Sequence, residues 1–365
     1  MKNLVYLFVV GLMTLTACNN EPSYQIFGTA EGMADSTVVY LQHAQGRNFI
    51  KLDSTMVLNG KFTFTGRQDT AIHRYVSAMS EGIRYRVDFF LENGNISLVL
   101  GNENNAIGTP SNDAYVAFKA EYNSVKMELN ELRKKMMTDN TLTEEQRKDM
   151  AKKFGELDAK AVEIVNRHLE LNAANKVGEH LFPSYTAYMN HEQQKAVLAK
   201  MPAEVISSNP KIARIAKHVE ILDNTAVGQK FTDFEMPTSD GKTLKLSDVV
   251  SQNKYTLVDF WASWCSPCRA EMPNVIAAYN EFHKKGFEVV GVSLDNDENA
   301  WKTSIKSWKM PWAHVSDLKS TDNAAALLYG IQSIPSTVLI AQDGTIVARN
   351  LRAEALKEKL TELLK

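Results

Sequence analysis

Val258-Asp259-Phe260-Trp261-Ala262-Ser263-Trp264-Cys265-Ser266-Pro267-Cys268-Arg269-Ala270-Glu271-Met272-Pro273 is the stretch from which the rest of the chain is read. It continues an apolar run from Tyr255 to Ala262 that one acid, Asp259, interrupts. Such a run reads as a buried strand. A helical pattern follows from Ser266 to about Lys284. Cys265 and Cys268 therefore stand where a strand ends and a helix begins, and ligand crevices of α/β sheets lie at the carboxyl ends of strands.

The position suits sulfur chemistry. Backbone N–H groups and the helix dipole at a helix start favour a thiolate, lowering the pKa of a cysteine there from its free value of ~8.5. Cys268 lies one turn further on the same face, so the pair closes into a disulfide with little rearrangement. Cys265 is the expected attacking thiol and Cys268 the resolving one. A zinc site would need a second Cys or His pair at ligand spacing, and the sequence has none. No metal and no cofactor is called for.

Outward from this junction the chain alternates strand and helix. Strand Phe287 to Asp295, helix Asn299 to Lys309, a short helix near Asn323 to Tyr329, strand Ser336 to Ala341, an Asp343-Gly344 turn, strand Thr345 to Arg349 and a helix from Ala353 follow. A hairpin turns at Asp240-Gly241. The pattern predicts an α/β domain over 225–365, a mixed central sheet with helices on both faces.

The quoted segment resembles the active-site segment of thioredoxins, and especially of TlpA/ResA-type thioredoxin-like proteins of the AhpC/TSA–redoxin superfamily. The resemblance covers residues ~228–365. It implies a thiol–disulfide oxidoreductase with Cys265 and Cys268 as its redox pair. It also implies that Asp259 is the buried acid handling the resolving thiol's proton and Glu271 the active-site glutamate of the ResA-like branch. Pro273 matches the helix-kinking proline. Ile334-Pro335 matches the cis-proline segment that faces the cysteines and pairs with substrate backbone.

Elementary chemistry reads several of these residues the same way. Cys268 must lose a proton before it resolves a mixed disulfide, and a carboxyl with a raised pKa accepts it. Asp259, facing inward from an apolar strand, would have its pKa raised by desolvation. Glu271 lies one turn beyond Cys268 on the same helical face. Trp264 beside Cys265 offers a docking surface for substrate. The Ser266-Pro267 dipeptide is closer to thioredoxin's than to that of strong oxidants, so a potential nearer ~-270 mV than ~-120 mV is expected.

The N-terminus is read differently. Lys2, the apolar run Leu4 to Leu15 and the small residues Thr16-Ala17 form a secretory signal arrangement over 1–17. Leu15-Thr16-Ala17-Cys18 resembles the lipobox of bacterial lipoproteins, which implies lipidation of Cys18 and a cell-envelope, extracytoplasmic location. The chain's 3 cysteines then reduce to one C-x-x-C pair, which in an exported protein is a sign of chemistry rather than of stapling.

Residues 18–110 read as a small antiparallel β-sandwich. Tyr24 to Ala30, Thr37 to Gln42 and Phe49 to Leu58 carry strand-forming residues, Asn59-Gly60 signals a hairpin into Lys61 to Phe64, and a second hairpin is expected between Tyr85 to Leu91 and Ile96 to Leu100. The stretch resembles the β-rich domain of unknown function found in such lipoproteins. Residues 111–224 read as helical: Ser111 as cap of a helix through Met137, Thr143 opening another to about Asn172, then Asn190 to Ala199 and Lys211 to Leu222.

The 365 residues carry a formal net charge of -2, which removes the electrostatic reason to expect nucleic-acid binding. Asp295-Asn296-Asp297-Glu298-Asn299 imitates a calcium loop, but Ala300 and Lys306 stand where its glycine and closing glutamate belong. His191-Glu192 lacks the second histidine of a zinc-protease helix. The expected activity is reduction of disulfides in exported proteins, apocytochromes among the candidates, fed by an upstream thiol reductant, with the membrane reached through lipid. Isomerisation, thiol peroxidation and a partner-binding lipoprotein with a regulatory redox pair are the alternatives, and homodimerisation through the helical region is left open.

Overall fold

The computed structural model describes residues 22–365, so the signal segment 1–17 and Cys18 lie outside the described residues. The described residues form two compact units, 22–202 and 203–365. The helical run read as 111–224 is shared between them, its last two helices belonging to the second unit.

The first unit begins with strands β1 (Tyr24–Thr29), β2 (Val38–Gln45), β3 (Asn48–Met56), β4 (Lys61–Gly66), β5 (Ile72–Ser80), β6 (Ile83–Leu91), β7 (Gly94–Val99) and β8 (Asn105–Ile107). They form two four-stranded sheets, β4-β1-β7-β8 and β3-β2-β5-β6. Alternate residues such as Ile26, Val39, Leu41, Val87, Phe89, Ile96 and Leu98 are buried in one common core. The antiparallel expectation has one exception, because β1 and β7 pair in parallel. Both expected hairpins are corrected. Asn59-Gly60 does make a tight turn, both residues at positive φ, but beyond the Leu58–Lys61 bridge β3 and β4 lie in different sheets. Glu92-Asn93-Gly94 likewise carries the chain from β6 in one sheet to β7 in the other. Crossing between layers at these turns lets consecutive strands contribute their apolar faces to the same core. The sequence reading missed two hairpins, β2 to β3 through Gly46-Arg47 and β5 to β6 through Glu81-Gly82, the latter again with two positive φ values.

Four helices complete this unit: α1 (Pro110–Thr138), α2 (Glu144–Asn172), α3 (Lys176–Tyr185) and α4 (His191–Lys200). Thr143 forms the expected capping box with Gln146. Ser111 is not a cap. Pro110 starts α1 one residue earlier with Thr109 as its flanking residue, and Ser111 instead gives its backbone N–H and hydroxyl to the Glu92 carboxylate.

The second unit opens with α5 (Ala203–Ser208) and α6 (Pro210–Asn224), then the small hairpin β9 (Glu235–Pro237) and β10 (Thr243–Lys245) and α7 (Leu246–Gln252). The core follows as β11 (Tyr255–Trp261), α8 (Ser266–Phe282), β12 (Phe287–Ser293), α9 (Glu298–Ser307), β13 (Ala313–Val315), α10 (Ala324–Leu328), β14 (Ser336–Ala341), β15 (Ile346–Arg349) and α11 (Ala353–Leu363). The five-stranded sheet runs β13-β12-β11-β14-β15, with β13, β12 and β11 parallel and β14 and β15 antiparallel. Every residue from Thr256 to Trp261 is buried, so both faces of the central strand are covered. Arg349 ties α6 to this unit through its guanidinium, which donates to the carbonyl of Thr225 at 2.7 Å and that of Tyr329 at 2.7 Å.

Candidate active site

β11 delivers the chain to the site. After Trp261 a short turn leads to Cys265, which occupies the N-cap of α8 with Pro267 in the first turn. Proline fits there because its missing N–H would have had no helical partner. Cys265 and Cys268 form a disulfide with Cα atoms 5.2 Å apart. The Cys268 N–H donates to Cys265 Sγ at 3.1 Å, the hydrogen bond that a side chain at this position makes to the exposed N–H groups of a helix start. Both sulfurs are nearly covered, whereas the neighbouring Trp264 is 58% exposed. A reactive pair flanked by a large exposed ring gives a substrate chain something to lie against.

Asp259 sits in the middle of β11, paired with Gly291 on one side and Thr337 on the other. It is 3% exposed, and its Oδ2 has no hydrogen-bond partner. Burial pushes its carboxyl up to about 7, the Glu271 charge adds to the rise, and Arg352 opposes it. Glu271 is placed close enough to be felt by Asp259, but its own oxygens are engaged. Oε1 accepts the Ala353 N–H at 2.6 Å and Oε2 the Asn274 amide at 3.1 Å. Because Arg352 caps α11 with no side-chain bond, Glu271 supplies from α8 the acceptor that the first turn of α11 needs.

The Ile334–Pro335 peptide bond is cis. β14 starts immediately after it and pairs Ser336 with Phe260, which puts Pro335 level with the end of β11 that feeds Cys265. The Arg352 guanidinium donates to the Pro335 carbonyl. Hydrogen bonds thus tie Glu271 and Pro335 to the start of α11, and Asp259 feels the charges of Glu271 and Arg352 without bonding to either. Pro273 lies within α8.

Sequence reasoning missed three contributors. Arg352 donates to the Pro335 carbonyl and its charge opposes the rise in the Asp259 pKa, and nothing in its local pattern marks it. Ser263 and Asp295 are the others. Both oxygens of Asp295, which is 1% exposed, accept from the Ser263 N–H at 3.0 and 3.2 Å. The Ser263 hydroxyl adds a bond at 2.5 Å and the Ser293 hydroxyl one at 2.7 Å. This pins the turn two residues before Cys265. The acid run 295–299 that imitated a calcium loop is thereby accounted for: Asp295 holds serines, and Asp297 caps α9 by accepting the N–H groups of Asn299 and Ala300. His314 is a further buried titratable group, stacked edge-on to Trp261, and burial drives its pKa down to about 3, so it stays neutral.

A mixed five-stranded sheet carrying a C-x-x-C disulfide at the start of its central helix defines a thioredoxin-like thiol–disulfide oxidoreductase. Residues 227–349 match the AhpC/TSA family, and residues 24–115 match a domain of unknown function, DUF4369. Among similar proteins is the thiol-disulfide oxidoreductase ResA of Bacillus thuringiensis subsp. konkukian, 28% identical over 139 residues, 38% of this chain and 77% of the relative. ResA of Bacillus subtilis is 29% identical over 125 residues, covering 34% and 67%. A solved thiol-disulfide oxidoreductase from Bacteroides fragilis is 36% identical, covers 37% of this chain and 100% of its own, and has a TM-score of 0.36. The thioredoxin domain of a thiol-disulfide oxidoreductase from Bacteroides vulgatus is 34% identical, with 38% and 99% covered and a TM-score of 0.36.

Proposed function

We propose that this chain is a lipid-anchored reductase of disulfides in exported proteins, working on the outer side of the cytoplasmic membrane or beyond it, with apocytochromes among its clients. The observation that carries the reading is the Cys265–Cys268 disulfide at a helix start, fed by a strand whose buried Asp259 carboxyl is pushed up to about 7. A group with that pKa takes up and gives back a proton near neutrality, which is what the resolving step needs.

In the reduced enzyme the Cys265 thiolate attacks one sulfur of a client disulfide. A Cys265–client bond forms, the client S–S bond breaks, and the departing client sulfur leaves as a thiolate that takes a proton from water. Cys268 then passes its proton to ionised Asp259 and attacks Cys265 Sγ. The Cys265–client bond breaks, the second client sulfur leaves as a thiolate that takes a proton from water, and the enzyme is left as the Cys265–Cys268 disulfide. Two electrons have moved to the client, and an upstream dithiol must return them. In this scheme Asp259 is the proton acceptor, because Glu271 is committed to Ala353 and Asn274. Glu271 tunes Asp259 by its charge, Trp264 receives the client, and the Ile334-Pro335 segment faces its backbone.

Trapping tests the reading. A Cys268→Ala protein should accumulate mixed disulfides through Cys265 that mass spectrometry identifies, and Cys265→Ala should trap nothing and reduce insulin no faster than background. Insulin reduction that persists in Cys265→Ala overturns the assignment. The anchor has its own check. Cys18→Ser should move the protein from the membrane fraction to the soluble envelope fraction, and unchanged membrane retention would refute lipidation there.

A further inference from the structure

The outer face of the β3-β2-β5-β6 sheet carries a groove of about 450 Å³, within the range of small-molecule sites. Four cations line it, Arg47, Lys51, Arg84 and Arg86, and no carboxylate does. Strand register puts them there. Lys51 stands opposite Gln42, Arg86 opposite Ser77 and Arg84 opposite Met79. Directly opposed residues share a face. A register shift between Leu41 and Gln42 then sets Asp53 opposite buried Leu41, on the other face from Lys51, although the two are only two residues apart. Asp88, two residues beyond Arg86 on the same side of β6, is already taken by Lys119, Tyr115 and His73.

Two of the cations, Lys51 and Arg86, are held in place without being neutralised. The Lys51 ammonium lies 3.8 Å over the Tyr40 ring and the Arg86 guanidinium 3.5 Å over Phe49, while Phe49 meets Tyr75 edge-on at 5.0 Å. Such stacking immobilises a charge and leaves its donors unspent. Arg86 Nε is buried and has no hydrogen-bond partner. The groove floor adds neutral donor capacity. Gln42, 7% exposed, accepts the Ser77 hydroxyl through Oε1 at 2.7 Å, which leaves its amide N–H groups for a ligand. Preorganised guanidinium and ammonium groups with an amide donor, and no competing acid, form an oxyanion-recognition surface.

We propose that this face binds a small molecule bearing two or more oxyanion groups, of the phosphate-ester or polycarboxylate class. The site is independent of the redox pair, and its occupancy does not rest on the reductase reading.

Calorimetry on the full chain tests it, with pyrophosphate and citrate as probes at matched ionic strength. At least one should bind saturably at one site per chain, and which one does separates phosphate from carboxylate as the source. Arg84→Gln and Arg86→Lys should each weaken binding roughly tenfold or more, as loss of a charge-assisted contact does, and leave insulin reduction unchanged. If Arg86 variants fold poorly by circular dichroism, exposed Arg84 and Arg47 carry the same test. Absence of saturable binding, binding indifferent to these substitutions, or binding confined to an oligoglutamate peptide or to anionic phosphatidylglycerol vesicles overturns the proposal.

Discussion

Each of the two units places an aspartate inside a strand, and the two solve the same electrostatic problem in opposite ways. Asp88 in β6 of the first unit is surrounded by donors: Lys119 at 3.2 Å, His73 at 3.4 Å and the Tyr115 hydroxyl. Burial alone would raise its pKa, but these hydrogen bonds and the Lys119 charge overrule it and hold the carboxyl well below the usual carboxylate range. Asp259 in β11 of the second unit has a bare oxygen and a negative neighbour, and it is pushed up to about 7. A satisfied buried acid is a structural tie. An unsatisfied one costs stability and persists where a proton has to move.

The sharpest way to break this contrast is Asp259→Asn. Turnover of a protein disulfide at pH 7 to 8 should fall by about 10²-fold or more, the scale of a lost general base, with mixed disulfides persisting longer through Cys265. Stability should move the other way. A folded pKa raised above the unfolded value means that the contribution of Asp259 is fully favourable below the unfolded pKa of ~3.9. It is lost as pH rises through about 7. The variant should therefore match the parent near pH 4 and exceed it above pH 7 by up to about 4 kcal/mol, the upper bound set by that shift. Taking the difference between the two proteins removes His314, whose suppressed protonation gives the opposite pH trend. All 5 tryptophans lie between Trp261 and Trp312, so fluorescence follows this unit alone. Equal stability of the two proteins at pH 8 would show that Asp259 is solvated or paired and would remove its special status.

How far such contrasts are visible in the sequence differs between the units. At the redox pair nearly everything is local: an apolar strand, one acid within it, and a cysteine at each end of a helical turn. Periodicity and spacing therefore place Cys265, Cys268 and Asp259 before any coordinates exist. The residues that were missed act over long separations. Asp295 reaches Ser263 across 32 positions, and the bond that occupies Glu271, equally unforeseen, comes from Ala353 across 82. No pattern in a window of ten or twenty residues encodes those meetings. In the β region, Tyr85 to Leu91 and Ile96 to Leu100 alternate as hairpin strands do. Alternation reports only that each strand has one buried face, not which sheet it joins, so two layer-crossing turns pass for hairpins. The capping box at Thr143 was legible because both partners lie within four residues.

Asp88 offers the smaller and complementary test. It is 34% exposed on its side chain, so its interactions are partly screened, but its removal leaves Lys119, His73 and Tyr115 facing one another with no common acceptor. Asp88→Ala should cost the first unit about 2 kcal/mol, the scale of breaking a part-buried hydrogen-bonded cluster. The pH dependence has the sign opposite to that of Asp259. With the folded pKa lowered, the contribution of Asp88 is present above the unfolded value of ~3.9 and disappears as pH falls below it. The cost of Asp88→Ala should therefore be full at pH 7 and shrink toward pH 3. Hydrogen exchange of the β5 and β6 amides reads this unit without interference from the tryptophan-bearing one. Asp88→Asn separates charge from shape: an amide still accepts from Tyr115 but gives Lys119 no counter-charge, so it should recover part of the loss and none of the pH dependence. If protection in β5 and β6 were unchanged in both variants, the donors around Asp88 would be ornaments on a solvated carboxylate, and the two units would differ in burial rather than in how they satisfy it.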